Sequence, residues 1–256
     1  MKILAINASH RGDRGYTRLF IDKLLQDAAG GGAECEVVTL ARLKINRCLA
    51  CLQCQTKEHY LHCVHEERDD VHAIHDKMAT ADMLIYGTPV YLYTMSGLLK
   101  LFLDRLYGIS DVSDMQLSDA GLIHHHINPA VCSKPFVTLV VCGNVEVETT
   151  RNVLSYFRTY SRFMNAPQVG VLVRNATNLL EVSTEPERSN PRVRAVYDAY
   201  VQAGRELATL GRIQRGTQQR ANQEIVPVPL FGLLKQLPFR PLKEQIVIRA
   251  RKMMRR

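Results

Sequence analysis

Apolar positions fall in short continuous runs separated by polar or helix-patterned segments, and the two kinds alternate along most of the chain. Residues 2–7 form one such run, a polar loop continues through 8–15, and Leu19, Phe20, Leu24 and Leu25 then recur at helical spacing. The triplet Gly30-Gly31-Gly32 stops that helix, and 34–40 reads as a second strand. After a cysteine-rich excursion at 44–67, Val71, Ile74 and Met78 mark one face of a helix over 69–80. A buried strand at 83–86 ends in Gly87-Thr88-Pro89, and a helix over 96–107 aligns Leu98, Leu99, Phe102, Leu103 and Leu106. Residues 109–134 read as a long polar loop. The most continuous apolar strand, 136–141, is followed by a helix from about 147 to 163, a last strand at 168–173 and a closing helix at 191–210.

Strands that are apolar throughout have both faces covered, so this alternation predicts an α/β protein with a doubly wound parallel five-stranded sheet between two helical layers. Ligands of such sheets bind beyond the carboxyl ends of the strands. The loops at 8–16, 87–95 and 142–147 all follow strands and are expected to converge on one crevice.

Composition narrows the class. With 46% hydrophobic and 23% charged residues in a chain of 256, disorder, collagen and coiled coil are excluded. Met83 to Leu99, the longest uncharged stretch, is broken by Gly87 and Pro89 and is too short to span a membrane. The first apolar run meets Asn7 too early for a signal peptide, and a cytoplasmic protein is expected. The formal net charge of +8 is concentrated in residues 213–256, which hold ten Lys/Arg against two Glu. A nucleic-acid partner would rest on that tail alone, and none is expected.

A polar loop that opens straight into a helix offers backbone N–H groups, a helix dipole and an arginine to one anion, usually a phosphate. Ser9, Arg11, Gly15, Tyr16 and Thr17 are the candidates here. The loop contains neither the P-loop pattern nor G-x-G-x-x-G, which disfavours ATP and the usual dinucleotide fold. In the third loop, Pro89 fixes the backbone and Tyr91 supplies a flat face, which suits a planar ring; the plain alternative makes Tyr91 and Tyr93 core aromatics.

Taken together, Ala81-Asp82-Met83-Leu84-Ile85-Tyr86-Gly87-Thr88-Pro89-Val90-Tyr91 and Ser96-Gly97-Leu98-Leu99-Lys100-Leu101-Phe102-Leu103-Asp104-Arg105 closely resemble the flavodoxin-like NADPH-dependent FMN reductase family. Asn7-Ala8-Ser9-His10-Arg11 and Gly15-Tyr16-Thr17 resemble its phosphate loop, usually G-S-P-R and S-N-T, with departures at Asn7, Ala8, His10, Gly15 and Tyr16. The resemblance covers residues 1–210. It implies an FMN whose phosphate lies on the first loop at Ser9, Arg11, Gly15, Tyr16 and Thr17, and whose ring lies on Thr88, Pro89, Val90 and Tyr91 and on the turn Cys142-Gly143-Asn144. Cys142 would face the flavin; otherwise it joins Cys35 and Cys132 as a packing cysteine.

Cys48-x2-Cys51-x2-Cys54-x8-Cys63 reads as a set of metal or redox ligands rather than disulfides. Three readings stand: an iron–sulfur cluster, zinc shared with His59, His62 or His65, or reduced thiols in a loop. The spacing is similar to that of the iron–sulfur flavoprotein branch of the family, in which such a motif holds a 4Fe-4S cluster near the flavin. His124-His125-His126 is expected in a solvated loop, and Asp69-Asp70 is expected to start a helix with no chemical role.

The expected organisation is a flavodoxin-like FMN-binding domain at 1–212, with the cysteine loop at 44–67, and a basic, Pro-containing extension at 213–256. In that extension Leu230, Phe231, Leu233 and Phe239 lie among Pro227, Pro229, Pro238 and Pro241. Such an arm packs on its own domain or a neighbouring subunit, or anchors to an anionic membrane surface or an acidic redox partner. The function implied by the resemblance is hydride transfer from NAD(P)H to FMN, then electron delivery to a quinone, a free flavin, another small acceptor or the cluster. No protein acid or base is assigned as catalytic. Two other classes stay open: a non-enzymatic electron carrier built on the same FMN loops, and a zinc-stabilised interaction module. A homodimer or homotetramer is expected by resemblance.

Overall fold

The computed structural model describes residues 1–180 and 191–226, with short stretches at 240–241, 243–245 and 247–248. The elements run β1 (Lys2–Asn7), α1 (Tyr16–Gly30), β2 (Glu34–Thr39), α2 (Val71–Thr80), β3 (Met83–Tyr91), β4 (Thr94–Met95), α3 (Gly97–Asp104), β5 (Ser110–Leu117), β6 (Ile123–Ile127), α4 (Pro129–Cys132), β7 (Phe136–Val141), α5 (Arg151–Phe163), β8 (Gln168–Arg174), α6 (Pro191–Leu210) and α7 (Arg215–Ala221).

Five strands pair in parallel in the order β2-β1-β3-β7-β8, and β4 folds back antiparallel on the end of β3. The chain leaves β1 outward to β2 and returns on its other side as β3, so the winding reverses between β1 and β3. This is the flavodoxin-like, three-layer architecture, with its switch point at that pair. Every residue of β7, and every residue of β1 after Lys2, is buried, which is why neither shows polar alternation.

One face of the sheet is covered by α1 and α6, with Phe20, Leu24, Tyr200 and Ala203 at the contact. The other carries α2, α3 and α5 around Tyr86, Phe136, Phe157 and Tyr160, whose rings touch edge to face or tilted. Burial pushes the Cys132 thiol in this layer up to about 12, making it an inert packing residue. Where α6 crosses α1, a Cβ on Gly204 would lie 1.8 Å from the Leu24 carbonyl oxygen. A backbone oxygen cannot swing aside as a side chain can, so Gly204→Ala must part the helices. We expect a loss of about 3 kcal/mol, the upper end of ordinary overpacking, read as a lower urea midpoint at unchanged slope.

Residues 109–134 are not a loop. They form the antiparallel hairpin β5–β6 and then α4. The turn is closed by Ser118, whose hydroxyl accepts from Leu122 N–H at 3.2 Å, with Gly121 in the left-handed region at φ 71°. Asn128 caps α4 by accepting from Ala130 N–H at 3.0 Å, with Pro129 at its first position. Both strand faces carry Asp, Ser, Gln or His, and a bulge between Asp111 and Met115 breaks the period, so no apolar alternation announces the strands. The three histidines therefore lie on β6 and not in a loop: His125 is exposed, while His124 lies edge-on to Phe163.

Residues 213–226, the opening part of the extension, pack on the α1/α6 layer and along β8. Gln218 accepts from Val171 N–H at 2.7 Å, and Asn222 accepts from Val173 N–H and donates to Val171 C=O. These amides pair the backbone of an otherwise open edge strand. Buried Arg174 donates to the carbonyls of Asn175, Ala221 and Gln223, and Ile225 and Val226 close into the core. The segment 227–239, on which the idea of an anchoring arm rests, lies outside the described residues, as does most of the basic end. Among the described residues no helix is long and apolar enough to cross a membrane.

Candidate functional site

The first loop is wound by Asn7. Its amide donates to Gly12 C=O at 3.2 Å and to Thr39 Oγ1 at 3.4 Å, and its oxygen accepts from Ser9 N–H. Ser9 is thereby buried, with its hydroxyl accepting from Arg11 N–H at 3.2 Å. A Cβ on Gly15 would sit 2.5 Å from that hydroxyl, so glycine lets the start of α1 close over Ser9. No side chain caps α1, and its positive end meets the loop that holds exposed Arg11, half-buried Tyr16 and buried Thr17. The acid of this loop is engaged elsewhere: Asp13 pairs with Arg18 and Arg42 and accepts from Thr39. Partial burial opposes its ionisation, but these partners hold its carboxyl below the usual range. The arrangement suits an anion.

The third loop is bonded to the first. Ala8 N–H donates to Gly87 C=O at 2.9 Å, Ser96 Oγ donates to Ala8 C=O at 2.7 Å, and Thr88 Oγ1 accepts from Ser96 N–H at 3.0 Å. Ser96 in turn caps α3 by accepting from Leu99 N–H. Leu92 and Tyr93 form the two-residue turn between β3 and β4 at φ 45° and 68°, a conformation that Asn-Gly adopts readily and bulky residues do not. Such strain clusters at functional sites. Both side chains stand out of the protein, Leu92 at 88% exposure, and Asn152 donates to Tyr93 C=O. Tyr91, 40% exposed and thus no core aromatic, lies 5.7 Å from the His10 ring. His10 had no expected role, since a contact between residues so distant in sequence leaves no local pattern.

The turn after β7 lies beside β3, with Val141 paired to Pro89. Cys142 is buried, its sulfur accepting from Asn144 N–H at 3.4 Å and lying 3.4 Å from Thr149 Oγ1. Its side chain is occupied within the protein; Gly143 and Asn144 are the exposed part of the turn. All three loops thus stand at the carboxyl ends of β1, β3 and β7, around the switch point.

Cys48, Cys51, Cys54 and Cys63 line one recess, together with His65, Arg105 and Tyr107. Ala50, Leu52 and Leu61 take left-handed backbone conformations in this loop, and Gln55 locks it to β5 by donating to Ser110 C=O and accepting from Val112 N–H. Among the described residues, no three His, Cys, Asp or Glu side chains converge as tightly as a single metal ion requires.

Asp69 does more than start a helix. It accepts from Val71 N–H, but its other oxygen pairs with Arg105 and accepts from Asn46 N–H at 3.0 Å. Its side chain is 0% exposed and that of Arg105 2%. Burial opposes the charge, yet Arg105 and the backbone donors hold the Asp69 carboxyl below its ordinary range. Asp70, instead of capping α2, accepts from Lys44 N–H and donates to Lys44 C=O. The two aspartates close the neck of the cysteine loop. Neither residue of the Asp69–Arg105 pair was an expected site residue, although Arg105 ends a quoted motif.

Behind this pair, burial and then the nearby Arg105 charge push His75 down to about 4, so it is neutral in the folded protein. The unfolded chain takes up that proton below about pH 6.5. Stability is therefore full above pH 6.5 and falls as pH drops toward 4, by about 2–3 kcal/mol at pH 4.5. We expect His75→Gln to remove that part of the slope when urea midpoints at pH 7.5 and 4.5 are compared.

The model of the NADPH-dependent FMN reductase family matches residues 1–169. An iron-sulfur flavoprotein of Methanocaldococcus jannaschii is 36% identical over 105 residues, 41% of this chain and 51% of that protein. Another, of Methanosarcina thermophila, is 31% identical over 105 residues, 41% and 52% of the two. The chain spans about half the length of these relatives. Among solved structures, an FMN-dependent NADH-azoreductase of Bacillus anthracis with FMN superposes at a TM-score of 0.59 and 14% identity, over 81% of this chain and 99% of that one. RosB with a bound 8-demethyl-8-formylriboflavin-5'-phosphate intermediate superposes at 0.52 and 17%, over 99% and 87%. These likenesses in structure show the fold.

Proposed function

Because the chain belongs to the NADPH-dependent FMN reductase family, we propose that it is an NAD(P)H-dependent flavoprotein oxidoreductase. It carries FMN at the switch point and delivers electrons to a quinone, a flavin or another small acceptor. The observation that supports this most is the meeting of the three loops: an anion-suited helix start, bonded directly to a tyrosine-bearing loop, beside an exposed turn. Ser9, Arg11, Gly15, Tyr16 and Thr17 hold the phosphate; Thr88, Pro89, Val90 and Tyr91 and the turn Cys142-Gly143-Asn144 flank the ring. The Gly15 close approach fits this, since it leaves no Cβ between α1 and Ser9. When bound, FMN supplies hydride acceptance and stepwise electron release. The chain's own residues bind and orient it, and Tyr91 with His10 shields one side from water.

In the same reading Cys48, Cys51, Cys54 and Cys63 hold a 4Fe-4S cluster. Support comes from the shared recess, from buried nitrogen atoms without partners beside it, and from matched relatives that are named iron-sulfur flavoproteins. A homodimer or homotetramer in the cytoplasm belongs to the same proposal. Membrane contact through the basic tail is tested by liposome co-sedimentation of a form ending at 226, which keeps the packing on β8; equal sedimentation of both forms ends that idea.

The test is one anaerobic purification with flavin, zinc, iron and acid-labile sulfide assayed together. Flavin with about four irons and four sulfides per chain is the expected result. Flavin with neither leaves a cluster-free reductase, and no flavin even after adding FMN overturns the reading.

A further inference from the structure

The cysteine recess has a second wall of nitrogen donors. Arg105 is 3% exposed; its Nη1 donates to Asp69 and to Asn46 C=O at 3.0 Å, while its Nε is buried without a partner. Both ring nitrogens of His65 are likewise buried and unpartnered. Both residues line the recess that the four cysteines line. Leaving a buried donor unsatisfied is costly, more so when it is charged, so folded proteins keep such groups where something accepts from them. The cysteine sulfurs that line the recess accept well as thiolates or bridging sulfides.

We infer that Arg105 and His65 are the N–H donors to the sulfur atoms of the group held in this recess, and that they raise its reduction potential. This rests on the cluster reading above. Reduction adds one negative charge; donors fixed in a dry wall favour the more negative form, and hydrogen bonds to sulfur are among the factors that set such potentials. Asp69 pairs with the guanidinium through Nη1, which leaves Nε without a partner. In a potentiometric titration the mediator supplies the electron and no bond breaks.

The experiment uses the full chain, purified without oxygen, with iron, sulfide and thermal unfolding measured on every sample. Arg105→Lys keeps a cation beside Asp69 but has no Nε; His65→Leu removes the ring nitrogens; His62→Leu changes an exposed histidine of the same loop. We expect the first two to keep their iron and each to lower the equilibrium constant for one-electron reduction about tenfold, a shift of about 59 mV to more negative potential. His62→Leu leaves the midpoint where it is. Should Arg105→Lys fail to fold, His65→Leu carries the test. Unmoved midpoints in iron-loaded variants, or an equal shift in His62→Leu, overturn the assignment. A wild-type protein without iron or sulfide after anaerobic reconstitution overturns the cluster reading itself.

Discussion

Asp69→Asn should cost about 3–5 kcal/mol of stability, because it leaves the Arg105 guanidinium buried with no countercharge. Against a total of about 5–15 kcal/mol for a typical domain, that is enough to leave the variant marginal. The loss should appear first in the cysteine loop, since the same carboxylate accepts from Asn46 N–H at its neck and Arg105 donates to Asn46 C=O. Limited proteolysis within 44–67 should therefore outpace global unfolding. In the wild type the folded carboxyl lies below the ordinary carboxylate range. Its contribution is thus full at and above that range and lost only as pH falls through the lower folded value. Combining Asp69→Asn with Arg105→Met should recover much of the loss, because a buried pair can be exchanged for apolar groups far more cheaply than it can be broken. Equal stability of wild type and Asp69→Asn by urea unfolding would contradict the buried pair.

The second large effect is on flavin binding. Gly15→Val places a branched Cβ where 2.5 Å separates it from Ser9 Oγ, so either Ser9 leaves its position or the first turn of α1 lifts from the loop. Either movement removes two of the donors offered to a phosphate, each worth about 1.5–3 kcal/mol when the acceptor is charged. FMN affinity should fall at least about 100-fold. Titrating the apoprotein with FMN and following fluorescence quenching measures it directly. The rest of the fold should hold, because the clash is confined to the loop; an unchanged dissociation constant would place the phosphate elsewhere.

Why were some parts of this structure legible in the sequence and others not? The sheet was, because Leu4, Ile6, Val137 and Leu139 sit in strands buried on both faces, and such strands must be apolar throughout. The three loops followed from strand ends and polar, glycine-rich spacing, and the four cysteines from their close intervals. The β5–β6 hairpin was hidden because its exposed residues include Met115, Leu117 and Ile123 beside Asp, Ser and His, so neither face is marked. The turn at Leu92-Tyr93 was hidden for the opposite reason: its geometry asks for Asn-Gly, and bulky residues occupy it under strain. Asp69 and Arg105 are 36 residues apart, and their pairing is a product of packing that no local pattern encodes. The capping role expected of Asp70 failed because its carboxylate reaches Lys44 N–H instead of its own helix.

We propose that the carboxyl ends of β1, β3 and β7 hold an FMN that a reduced nicotinamide can reach. Anaerobic stopped-flow mixing of FMN-loaded protein with NADPH, and separately with NADH, tests it most directly. At least one of the two should bleach the flavin absorbance saturably. Bound flavin that neither nicotinamide bleaches would make the protein an electron carrier fed by other proteins and would overturn the assignment of a nicotinamide-dependent reductase.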